Sequence, residues 1–179
     1  PTDQMRRHYS LVLKGLIAIS TLRFPTGTRG MDIDPFARLA LWQAGLDFAH
    51  GTGHGVGSFL SVHEGPQRIA RTGTQTLLPG MILSNEPGYY RPGEYGIRLE
   101  NLIVVDEAAP IEGGEIAMHG FETLTLAPFD RRLIDVALLA PSEIIWLDAY
   151  HARVAAELAD LVEDDVRQWL ESATAPLSE

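Results

Sequence analysis

The chain has 179 residues, 45% of them hydrophobic, which is enough apolar material for a globular core, as one domain or as part of a larger one. Its formal net charge of −10 and its single lysine, Lys14, leave no basic stripe to neutralise a phosphate backbone, so nucleic acid is excluded as an expected partner. Without a bilayer-length apolar run, a signal-peptide pattern or any cysteine, the expectation is a cytoplasmic protein, with no membrane partner, whose metals, if any, are held by His, Asp and Glu.

From Asp3 to Phe24 the apolar residues Met5, Tyr9, Leu13, Ile17 and Leu22 recur at near-helical spacing, interrupted only by Gly15, and Pro25 ends the run. This predicts one long helix. A turn at Pro25-Thr26-Gly27-Thr28 leads to a second predicted helix, with Asp32 or Asp34 as its cap, running through Phe36, Leu39 and Leu41 to about Ala44 and stopped by Gly45.

From His50 to Val105 the composition shifts to Gly, Pro, β-branched and aromatic residues, which predicts mostly sheet. The expected strands are Ser58 to Val62, Met81 to Asn85 and Gly96 to Val105. Phe121 to Ala127 follows as another strand. After Pro141 come a helix capped by Ser142 and running past Trp146, Tyr150 and Val154, a shorter helix around Val166 to Leu170, and a tail expected to fray from Ser172.

Two segments carry candidate chemistry. His50-Gly51-Thr52-Gly53-His54-Gly55-Val56-Gly57 spaces two histidines as a helical zinc motif would. Each of its four glycines, however, would cost a helix about 0.8–1 kcal/mol relative to alanine, so the segment reads as a loop entering a strand. The glycine order fits neither a dinucleotide fingerprint nor a phosphate loop. His50 and His54 could be ordinary hydrogen-bonded loop histidines, but His63 a little further on favours a functional cluster.

The second segment is a hairpin. Glu86 follows one predicted strand and Glu100 lies in the next, with Pro87, Gly88, Pro92, Gly93 and Gly96 between them. If the hairpin folds symmetrically about Gly93, Glu86 and Glu100 are cross-strand partners on one face, and Arg98 points the same way. Two adjacent carboxylates need positive charge between them. Arg98 alone would make this a structural cluster, whereas a divalent metal would satisfy the same need and also account for His54.

These residues, His50-Gly-Thr-Gly-His54-Gly-Val-Gly-Ser-Phe-Leu-Ser-Val-His63-Glu-Gly-Pro, Asn85-Glu86-Pro87-Gly88-Tyr89-Tyr90 and Gly96-Ile97-Arg98-Leu99-Glu100-Asn101, resemble aminopeptidase P, or Xaa-Pro aminopeptidase, of the pita-bread metallopeptidases. The similarity takes in Leu13-Lys14-Gly15 before them and Ile134-Asp135-Val136, Trp146-Leu147 and Tyr150-His151 after them. It implies an α+β pita-bread fold, an antiparallel curved sheet flanked by helices. Residues 1–127 would be the C-terminal portion of the catalytic domain and 128–179 a helical extension.

The implied reaction is hydrolysis of the bond between an N-terminal residue and a following proline, through a hydroxide bridging two divalent ions, manganese first and cobalt or zinc as substitutes. By the same resemblance His54, Glu86 and Glu100 are metal ligands and Glu86 also moves the proton. His50 and His63 orient substrate and stabilise the intermediate, Arg98 supports the site, and Tyr90 walls the substrate pocket. The family also uses two upstream aspartates that nothing in residues 1–24 resembles. The expectation is therefore an incomplete site, inactive by itself, completed by a missing N-terminal part of the same enzyme, which would be a homodimer acting on peptides with proline in second position. The rival readings are a non-catalytic pita-bread peptide-binding module, a prolidase and a methionine aminopeptidase.

Overall fold

A computed structural model describes residues 1–59 and 61–177. The elements in chain order are α1 (Asp3–Ser20), β1 (Phe24–Pro25), α2 (Gly30–Gln43), β2 (Gly53–His54), β3 (Arg68–Ile69), β4 (Ile82–Asn85), β5 (Gly88–Arg91), β6 (Tyr95–Arg98), β7 (Asn101–Val105), β8 (Met118–His119), β9 (Phe121–Thr123), α3 (Pro141–Leu158) and α4 (Asp164–Ala173). They form two compact units, Val12–Thr125 and Pro1–Leu11 with Leu126–Glu179.

The larger unit is built on the antiparallel order β4-β7-β9. Along β7, Asn101, Ile103 and Val105 are buried and Leu102 and Val104 less so, the two-residue period of a strand with one face on the core. That face joins Leu83, Ile103, Val105 and Phe121 to Ile19, Phe24, Ile33 and Ala37 in one cluster. Each fully buried aliphatic side chain there contributes about 1.5–3 kcal/mol.

Helix α1 ends four residues before the expected Phe24. Phe24 is instead extended and pairs with His119, its ring 5.1 Å from that of Phe121, and a residue preceding proline is in any case biased away from helix. Helix α2 starts earlier than expected. Its cap is Arg29, whose backbone N–H donates to Asp32 Oδ2 at 2.9 Å, so Asp32 sits in the first turn and Asp34 is buried inside the helix. Gly15 is explained by the packing of α1 on α2, because a Cβ there would overlap the backbone carbonyl oxygen of Ala37.

Three strands came out differently from their sequence expectation. Ser58 to Val62 forms no strand in its described residues, with Leu60 outside them; Gly57 N–H closes a loop on the Ser61 carbonyl at 2.8 Å. Gly96 to Val105 is broken at Leu99 and Glu100. The last strand is only Phe121–Thr123.

In the smaller unit, side chains of helices satisfy irregular backbone. Tyr150 hydroxyl donates to the Ala127 carbonyl at 2.9 Å, His151 Nε2 accepts from Phe129 N–H at 3.0 Å, and Tyr9 hydroxyl accepts from Asp130 N–H at 3.1 Å. Helix α3 is capped at Ala140 with Pro141 in its first turn, so Ser142 lies inside the helix instead of capping it. Helix α4 continues to Ala173, one residue beyond the Ser172 at which the tail was expected to begin, and Leu177 N–H donates to Asp148 Oδ1 at 2.7 Å; Ser178 and Glu179 lie outside the described residues.

Gly15→Ala should gain about 1 kcal/mol of helix propensity yet lower net stability by about 1–3 kcal/mol through overpacking, read as a reduced urea midpoint at constant slope. Burial pulls His151 down from 6.5 to about 4. The folded state therefore resists the proton that the unfolded state accepts, so stability is complete above pH 6.5 and falls by up to about 3 kcal/mol as pH drops toward 4. His151→Gln, which keeps an acceptor for Phe129, should flatten that pH dependence of the denaturation midpoint.

Candidate metal centre

Strand β2 is placed by two crossings. It pairs with β3, Gly53 opposite Ile69 and His54 opposite Arg68, and His54 N–H donates to Ser84 Oγ of β4 at 3.0 Å. A Cβ on Gly53 would overlap the Ser84 carbonyl oxygen, so glycine lets β2 approach β4 closely enough to aim His54 across the sheet.

The hairpin has the register that symmetry about Gly93 requires. Asn85 pairs with Asn101 on one ladder and Gly88 with Arg98 on the next. Between the ladders, Glu86 N–H donates to the Thr52 carbonyl at 2.7 Å, and Leu99 N–H reaches the Pro87 carbonyl at 3.2 Å. Pro87 has no N–H to return, so the ladder is interrupted where Glu86 and Glu100 face each other.

One ligand atom from each of His54, Glu86 and Glu100 lies within 4.8 Å of the other two. His54 Nε2 is 3.1 Å from Glu86 Oε1, and Arg98 Nε is 3.7 Å from Glu86 Oε2 and 3.4 Å from Glu100 Oε2. These arginine contacts are long and Arg98 is half exposed, so they offset little of the carboxylate repulsion, less than about 1 kcal/mol each.

The imidazole makes the same point more sharply. His54 Nδ1 is 3.0 Å from the Gly55 carbonyl, which only accepts, so Nδ1 carries a proton and Nε2, 3.1 Å from Glu86 Oε1, is the nitrogen left to ligate a cation. Ser84 Oγ donates to Glu86 Oε1 at 2.9 Å and orients that oxygen toward the ring. One imidazole nitrogen and two carboxylates converging on one place form a donor set that fits a divalent cation.

His50, His54, His63, Glu86 and Arg98 line one cavity of about 620 Å³. The His54 and His63 rings are 4.0 Å apart. Tyr90 is reached through His50, whose Nε2 is 2.8 Å from the phenol oxygen, and Glu100 through Arg98. Sequence reasoning missed Glu64, which also lines the cavity, and it misread Asp34, which binds Arg38 and Thr52 beneath the histidine loop. The readable signal was an Asp and an Arg four apart on an otherwise apolar helix face.

Residues 1–107 match metallopeptidase family M24, and residues 117–177 match the C-terminal region of peptidase M24. The chain is 48% identical to a probable Xaa-Pro aminopeptidase P of Tuber melanosporum, over 99% of this chain and 30% of that relative, and 49% identical to one of Laccaria bicolor, over 99% and 28%. An X-prolyl aminopeptidase from Caenorhabditis elegans, described as a cytosolic enzyme with a di-nuclear active site, superposes with a TM-score of 0.93 at 41% identity, over 99% of this chain and 29% of that one. The chain thus spans about 30% of the length of the curated relatives it matches.

Replacing Ser84 with alanine frees Glu86 Oε1 and the His54 amide together. It should weaken divalent-cation binding by about tenfold or more in a competition titration with a fluorescent chelator.

Proposed function

The chain belongs to metallopeptidase family M24 and has its α+β pita-bread fold, and from that premise we propose that it carries part of the metal site of an Xaa-Pro aminopeptidase. The observation that carries this reading is the convergence of His54, Glu86 and Glu100, with His54 Nε2 3.1 Å from Glu86 Oε1. The likeness to X-prolyl aminopeptidase over 99% of the chain supports the choice of reaction.

His54, Glu86 and Glu100 would supply part of the ligand set of two divalent ions. Two carboxylates and one imidazole make an oxygen-rich set, which favours manganese over zinc, with cobalt as a further substitute. Bound ions supply Lewis acidity, both to acidify water and to polarise the scissile carbonyl. Glu86, 13% exposed and in the cavity wall, takes the proton of the attacking water and returns it to the proline nitrogen as the peptide bond breaks. His63, its ring 4.0 Å from that of His54, donates toward the developing oxyanion. His50 and Tyr90 orient the peptide, and Arg98 tempers the charge of the two glutamates. The enzyme works in the cytoplasm, as its nematode relative is described, and as a homodimer; no helix among the described residues is long and apolar enough to cross a membrane.

With manganese, the whole enzyme should release the first residue of Xaa-Pro-Xaa tripeptides in preference to cleaving Xaa-Pro dipeptides or Met-initiated peptides. Glu86→Gln should lower kcat by about a hundredfold or more. Preference for the dipeptide would favour prolidase chemistry, and no cleavage of any of the three would sink the reaction. The 179 residues by themselves should bind manganese weakly and cleave nothing, because three ligand residues leave both ions well short of about six ligands each. Tight binding of two ions by this chain, measured calorimetrically, would contradict that.

A further inference from the structure

Beneath the histidine loop lies a charge cluster that the metal site does not use. Arg38 on α2 is 2% exposed and Asp34, one turn before it, is 1% exposed. A guanidinium has five N–H donors, and all are occupied. Nε donates to Asp34 Oδ2 at 2.8 Å, Nη2 to Asp34 Oδ1 at 3.1 Å and to the His50 carbonyl at 2.7 Å, and Nη1 to Asp47 Oδ1 at 2.9 Å and to the Phe48 carbonyl at 2.7 Å.

This arginine is therefore a template for residues 47–50. Its guanidinium carbon lies 3.9 Å over the Phe48 ring, and Phe48 in turn is 4.8 Å from the His50 ring. Asp34 extends the template by one more contact, accepting from Thr52 Oγ1 at 2.7 Å, and the Thr52 carbonyl receives the Glu86 amide. A lysine could keep the charge here but not the planar fork.

The consequence reaches the cavity through one ring. His50 Nδ1 is 2.7 Å from the Gly51 carbonyl, so Nδ1 carries the proton and Nε2 is an acceptor, which here takes the phenol proton of Tyr90 at 2.8 Å. That geometry holds only while the loop backbone keeps the Gly51 carbonyl beside the ring.

We infer that Asp34 and Arg38 are positioning residues that lock His50 as a hydrogen-bond acceptor at the cavity wall, ready to exchange the Tyr90 hydroxyl for an N–H of a bound peptide. This deepens the reading of His50 as a substrate-orienting residue and rests on it.

Proton–nitrogen NMR correlation of the histidine ring nitrogens at neutral pH tests the lock directly. His50 should show a protonated Nδ1 and an unprotonated Nε2. In Arg38→Lys the two nitrogens should move toward a common averaged position. His119 of the same unit, held between the Asp106 carbonyl at 2.9 Å and Thr26 Oγ1 at 3.0 Å, should keep its pattern and so report that the unit is folded. An unchanged His50 pattern in a folded variant overturns the inference. If Arg38→Lys loses the His119 pattern too, the milder Asp34→Asn is read by the same criterion.

A double-mutant cycle on the manganese-loaded whole enzyme gives a second reading. Arg38→Lys should lower kcat/KM for an Xaa-Pro-Xaa tripeptide by about tenfold to a hundredfold with His50 present, and by almost nothing in a His50→Ala background. Equal losses in both backgrounds show that Arg38 does not act through His50 and overturn the inference. Absence of cleavage by the unaltered enzyme tells against the proposed reaction instead, and the NMR pattern then decides the positioning role alone.

Discussion

The convergence of His54 Nε2 with two carboxylates is the constraint around which the larger unit is organised. Three restraints hold these groups together: the Gly55 carbonyl fixes the imidazole, the Ser84 hydroxyl fixes one glutamate oxygen, and the hairpin register fixes the two glutamates face to face. The first is a hydrogen bond of about 1 kcal/mol net, the second, to a charged oxygen, is about 1.5–3 kcal/mol, and the third is a ladder of such bonds; together they hold two carboxylates close enough to repel unless a cation lies between them.

Much of this was legible because it depends on local rules. A run with glycine at every second position cannot be a stable helix, and β2 is where that run becomes strand. Turn formers spread about Gly93 set a hairpin whose parity puts Glu86, Arg98 and Glu100 together. What was not legible depends on distant partners. Asp34 has the composition of a helix cap, and only the arrival of Arg38, Thr52 and the loop beyond them makes it a buried anion. The break at Leu99 and Glu100 has a local cause, Pro87 with no N–H to return, and a distant one, the Glu86 amide turning to Thr52, a residue that no inspection of the hairpin would bring in. Ser58 to Val62 has strand-like composition but no ladder partner among the described residues.

The smaller unit shows the complementary strategy. Its helices are short of regular neighbours, and it stabilises irregular backbone with buried side chains such as Tyr150 and His151. A histidine serves there as a buried acceptor whose protonation burial disfavours, whereas in the larger unit His50 and His54 sit at a cavity wall with their Nδ1 atoms held by neighbouring carbonyls. The same residue type is thus a structural bracket in one unit and candidate chemistry in the other, and the difference is whether the ring faces backbone or a cavity.

The interrupted ladder has a consequence for variation. Because β5 and β6 form a separate two-stranded ribbon beyond the break, the ribbon tip is free to lengthen or shorten by residues taken in pairs, one from each strand, without disturbing Glu86 or Glu100. A single-residue change in one arm is different. In the β6 arm, unless a bulge absorbs it, it reverses the face on which every later side chain emerges, and so turns Glu100 out of the cluster. The tip can drift in length, but only in even steps.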